Sequence, residues 1–109
     1  MLDTSELTAA VERFADRLRT APQSRLQRGA AAEGLELARE LALRAQRIEE
    51  PGGAARIMPD AGVFTVADQL VVAGNDLAEI LRTAPAGAPE RELGEAVDLV
   101  RRATERAGL

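Results

Sequence analysis

The chain is expected to be all-α: a four-helix bundle in one domain spanning residues 1–109. Three observations lead there. Apolar residues recur with helical spacing in four separate stretches. Aromatic residues make up only 2% of the chain, Phe14 and Phe64, so the core must be built from Leu, Val, Ile and much Ala. Alanine is the best helix former and lets helix axes approach closely. Hydrophobic residues at 46% and charged residues at 29% fit a folded globular chain. The spacing places helices near 4–20, 23–49, 63–83 and 89–107. The short first and third connections favour an antiparallel up-down-up-down order, with three helices and a packed outrigger as the alternative.

The first helix opens on Asp3 and Glu6, a variant of the capping box in which each side chain takes a free backbone N–H. Leu7, Val11, Phe14 and Leu18 form its apolar stripe, and Pro22 stops it near Thr20. The second helix can start with Pro22 in its first turn or with Ser24 as cap, and it runs to Ile48. Gly29 and Gly34 interrupt it. They mark either a kinked N-terminal part or a close crossing over a small surface of Ala30, Ala31, Gly34, Ala38 and Ala45. The crossing is the preferred reading, with the third helix as neighbour near Gly74.

Residues 50–62 form a connection longer than bundles commonly use, and long loops are more often functional. Ile57 and Met58 are unusual in a solvated linker; they tuck over the end of the core or form a lip for a partner. The third helix is the most apolar segment and the expected centre of the bundle. Val63, Val66, Ala67, Leu70, Val71, Gly74, Leu77, Ala78 and Leu81 cover one broad side of it. Residues 83–89 read as a loop. Pro89 then starts the fourth helix, with Glu90 and Glu92 at its positive end. Its stripe is Leu93, Ala96, Val97, Val100, Ala103 and Ala107; Gly108 stops it. Asp98–Arg102 and Arg101–Glu105 are spaced as i, i+4 ion pairs on a solvated face.

The composition excludes several chemistries. The chain contains no His, Cys, Tyr, Trp or Lys. That removes thiol and Schiff-base nucleophiles, imidazole bases and ligands, the histidine of a phosphotransfer bundle, and the Glu-x-x-His of a ferritin-like di-iron site. No cofactor is expected, and an enzyme is the less favoured reading. A net charge of −4 and a pI near 4.9 oppose binding to a phosphate backbone. The most basic local stretch is Gln23, Arg25, Gln27 and Arg28, after a short turn; as a recognition helix it would make the chain a DNA-binding domain. The acidic N-terminus lacks the pattern of a signal peptide, and no segment has the apolar length of a membrane span. A cytoplasmic protein is expected.

Carboxylates are the remaining chemical resource. Glu33 and Glu36 make an E-x-x-E on the second helix, and Asp76 and Glu79 a D-x-x-E on the third. Facing acid pairs of this kind can hold Mg²⁺. In size and in Glu33-x-x-Glu36 the chain resembles the all-α nucleoside-triphosphate pyrophosphohydrolases. That resemblance implies a metal-dependent enzyme with Glu33, Glu36, Asp76 and Glu79 as metal ligands. The second half of the family pattern, E-x-x-D, occurs here only reversed.

The favoured reading rests on apolar residues off the buried stripes. Leu43, Val72, Ile80 and Leu99 project away from their helices' main faces, and Ile57 and Met58 lie in the long connection. Together they point to a protein–protein interaction or regulatory module whose partner is a protein, a second copy of the chain among the choices.

Overall fold

The computed structural model describes residues 2–84 and 89–109. The expected loop at 83–89 lies, over residues 85–88, outside the described residues. Helix α1 is Ser5–Thr20, α2 is Ala31–Glu49, α3 is Val66–Thr83 and α4 is Pro89–Ala107. No strand occurs among the described residues.

Helix α1 buries the expected stripe of Leu7, Val11, Phe14 and Leu18, joined by Ala10 and Ala15. Its start differs from a capping box. Asp3 Oδ1 accepts from both the hydroxyl (2.6 Å) and the backbone N–H (2.9 Å) of Ser5. The hydroxyl and then the N–H hold the Asp3 carboxyl below its ordinary pKa. Glu6 does not close the reciprocal half, because Arg101 of α4 draws it away at 3.2 Å.

The helical chain that leads into α2 begins after Pro22, which stands extended at the N-cap rather than in the first turn. The Pro22 carbonyl accepts the N–H groups of Arg25 and Leu26 (2.9 and 3.2 Å). A single turn, Gln23–Arg25, leads into a π-turn at Leu26–Ala30, inside which Gly29 takes φ 150. That φ is one only glycine adopts without strain. Both readings of the two glycines therefore hold, at different residues: Gly29 is the kink and Gly34 the crossing. A Cβ at Gly34 would stand 2.7 Å from Val66 Cγ1 and 3.0 Å from Leu18 Cδ1.

The close approach expected between Gly74 and the second helix falls on the first helix instead. A Cβ at Gly74 would meet both methyl groups of Val11, at 2.9 Å each, so Gly74 is where α3 closes on α1. Helix α3 packs on α1 and α2 together, and its broad apolar side divides between them. Leu70, Leu77 and Leu81 are fully or almost fully buried, and Ala73 widens the stripe beyond the expected set. This is the central helix that the sequence indicates.

The order of directions also differs from up-down-up-down. Helix α1 runs antiparallel to α3: Arg19 pairs with Asp68, Val11 lies on Gly74, and Arg82 reaches Thr4. Helix α2 runs parallel to α3. Gly34 touches Val66 at their N-terminal ends, while Ala42, Ala45 and Glu49 line one groove with Asp76, Glu79 and Ile80 farther on. Helix α4 is antiparallel to α2, since Glu92 and Glu95 meet Arg44 and Arg106 meets Glu33. The long second connection causes the difference. An 18-residue helix is about 27 Å long, and about 16 extended residues reach ~50 Å. The chain from 50 to 65 can thus return the whole length of the bundle before α3 begins. A bundle with one long crossover results.

Candidate interaction surface

The crossover is a strap laid along the groove between α2 and α3. Gly52 (φ 84) turns the chain out of α2, and Gly53 N–H donates to Glu50 O at 3.0 Å. At the far end Gly62 (φ 98) turns it into α3. There Asp60 Oδ1 accepts the Gly62 N–H (2.9 Å), and the Thr65 hydroxyl donates to Gly62 O (2.8 Å). These turns delay α3 to Val66, past the expected start at 63.

Between the turns, helix side chains hold the strap by its backbone. Gln46 Nε2 donates to Arg56 O (3.0 Å) and Gln46 Oε1 accepts Arg56 N–H (2.9 Å), as a neighbouring strand would. Arg39 Nε donates to Met58 O (2.8 Å), and from the other side Gln69 Nε2 donates to Pro59 O (2.9 Å). The Gln69 Oε1 atom is buried without a hydrogen-bond partner among the described residues. Adjacent residues of an extended chain point to opposite sides. Met58 accordingly packs against the core, while Ile57 stands 59% exposed.

The strap brings Ile57 level with Val72. Arg56 lines a groove with Asp76, and Pro59 is bonded to Gln69. Three extended residues cover about 10 Å, as do seven helical ones from Gln69 to Asp76. Val72 lies on the helix stripe between those two anchors, level with Ile57 and Met58, and is 55% exposed. Leu43, half-buried, lines a 180 Å³ hollow on the α2 side of the strap with Gln46, Arg47 and Arg56. Ile80 forms part of the groove on the α3 side and packs partly on the core.

Of the six apolar residues singled out from the sequence, five therefore lie along the strap, and Leu99 lies apart on α4, partly packed on the core. Phe64, 70% exposed just before α3, belongs with the exposed apolar residues and was not singled out. The helical pattern placed it inside the third helix, where nothing distinguishes it. Its position after Gly62 was the available signal.

The carboxylates are not brought together. Glu33 accepts from Arg106 Nε at 2.9 Å, and Glu36 is on the rim of a 430 Å³ hollow beside Arg39 and Asp60. Glu79 pairs with Arg82, and Asp76 lies next to it in the other groove. Because α2 and α3 are parallel, Glu33 sits near the level of Val66, about 15 Å along the bundle from Asp76. Among the described residues no three acidic side chains converge as a metal site. The stretch from Gln23 to Arg28 is a single turn and a π-turn rather than a long helix, and Arg25 is bonded to the Gly108 carbonyl.

No helix among the described residues is long and apolar enough to cross a membrane. Comparison of the chain with protein-family models, curated proteins and solved structures finds no match.

Proposed function

We propose that the chain is a helical protein–protein interaction or regulatory module, acting in the cytoplasm, that associates with a second copy of itself. The observation that carries this reading is that Ile57 and Val72 are both exposed at the same level of the bundle, between the strap's anchors at Gln69 and Asp76. Both are more than half exposed, and the strap that presents Ile57 is fastened at three successive points. Single exposed apolar side chains are ordinary; two at one level of a fixed scaffold are what a binding surface needs. The small size of the chain supports the reading too, because association adds buried apolar area that a core of this size lacks.

Sedimentation equilibrium at tens of micromolar tests it. The expected result is a dimer that Ile57→Glu and Leu43→Glu each weaken. A monomer mass for the unaltered chain, with a Leu43→Glu variant that behaves identically, would sink it.

A further inference from the structure

The same face has a charge pattern that specifies how two copies would meet. On its α2 side are Leu43 and the exposed Arg47, which line one hollow against the strap. On its α3 side are Val72 and the exposed Asp76. Gln46 and Glu49 share a groove with Asp76 and Glu79, so Arg47 and Asp76 stand at about the same height on the bundle, one on each side of the strap. Neither has an ion-pair partner within its own chain among the described residues. Arg56 lines the groove with Asp76, but the carboxylate within its reach is that of Glu50, at 3.9 Å.

We propose that a second copy of the chain docks on the strap face about a twofold axis parallel to α2 and α3. Such an axis keeps heights and exchanges left for right. It lays α2 of each copy over α3 of the other, a consequence of the parallel direction of these two helices. Arg47 then meets the partner subunit's Asp76, and the contact is made twice. Leu43 meets the partner's Val72, and Ile57 lies on the axis against its own counterpart. The Glu50 carboxylate near Arg47 is the one within reach of Arg56, so the unpaired charges are Arg47 on one side of the strap and Asp76 on the other, a pair that is self-complementary under this operation. An axis across the helices would instead set Arg47 against Arg47 and Asp76 against Asp76, which like charges oppose.

This arrangement rests on the self-association proposed above, and charge reversal separates the two. Sedimentation of Arg47→Glu alone and of Asp76→Arg alone is expected to show dimers weakened roughly tenfold or more. Mixing the two variants is expected to restore association near the original strength. In the mixed dimer one contact carries the reversed pair and the other the original pair. Only an intermolecular contact between these positions produces that recovery. A dimer of the unaltered chain that ignores both single changes, or variants that stay apart when mixed, would overturn the arrangement and leave self-association standing. A monomeric unaltered chain removes both.

Discussion

Gly34 of α2 lies against Val66, the first residue of α3, with room for no atom between them: a Cβ at position 34 would be 2.7 Å from Val66 Cγ1. Valine is short and stiff at χ1, so it cannot swing aside as the end of the Leu18 side chain can. Gly34→Ala is therefore expected to lower stability by about 1–2 kcal/mol, overpacking outweighing the gain in helix propensity. Gly94 provides the contrast. It sits exposed within α4 with nothing among the described residues within 4 Å of its missing Cβ, and its φ is not in the left-handed region. Gly94→Ala should stabilise by up to about 1 kcal/mol. Urea midpoints that shift in the same direction for both variants would contradict this account.

Gly74 makes the corresponding closure on α1. Its added Cβ would meet Val11 Cγ1 and Cγ2 at 2.9 Å each, and Val11 is 1% exposed, so neither side can give way. Gly74→Ala should cost about 2 kcal/mol. Removing the Val11 methyls in the double variant Gly74→Ala with Val11→Ala should recover part of the loss, because the new methyl occupies space the old ones vacate. A double-mutant cycle in thermal unfolding measures the coupling. Strictly additive losses would mean that these residues do not meet.

The four helices were legible because each buries a stripe with helical period. Leu7 to Leu18, Leu70 to Leu81 and Ala96 to Ala103 are buried much as their spacing indicates. Direction was not legible. A stripe says which side of a helix is covered, not by which neighbour, and the spacing alone does not show that Gly74 closes on Val11. The parallel course of α2 and α3 depends on the strap, which is fastened by Gln46, Arg39 and Gln69 through backbone atoms. Such bonds leave no periodic mark in a sequence. The length of the connection was the one clue. Along the candidate surface, Ile57 and Val72 could be read as apolar residues out of place. Their common level on the bundle could not, since it requires the strap's path.

The strap itself can be tested through one side chain. Gln46 satisfies both backbone groups of Arg56, and no other hydrogen bond to either occurs among the described residues. The Arg56 amide should then be protected from hydrogen exchange although its residue is exposed. Gln46→Leu keeps the side-chain bulk and removes both bonds. It should abolish protection at Arg56 and cost about 1–2 kcal/mol or less, since the freed groups are open to water. The helices should keep their protection. Exchange at Arg56 that is fast in the unaltered chain would mean the strap is not held at this point.

Arg44 ties α2 to α4 and is the least exposed of the ion-paired arginines among the described residues. Its side chain, 20% exposed, contacts Glu40 (2.9 Å), Glu92 (3.5 Å) and Glu95 (2.9 Å). Burial by itself would lower the Arg44 pKa; hydrogen bonds to Glu95 and Glu40 and the charges of Glu40 and Glu92 outweigh it and hold the value above that of a free guanidinium. Arg44→Ala removes the cation that three carboxylates share and leaves them facing one another. Those carboxylates are each at least a third exposed, which limits the expected loss to about 1–2 kcal/mol. The deficit should shrink as salt is raised toward 1 M, where the screening length falls to about 3 Å. It should shrink as well when Glu95→Gln is added, because one repelling charge is removed. Urea unfolding of the single and double variants at low and high salt measures both effects. A deficit independent of salt would show that Arg44 acts by packing its aliphatic stem rather than by its charge.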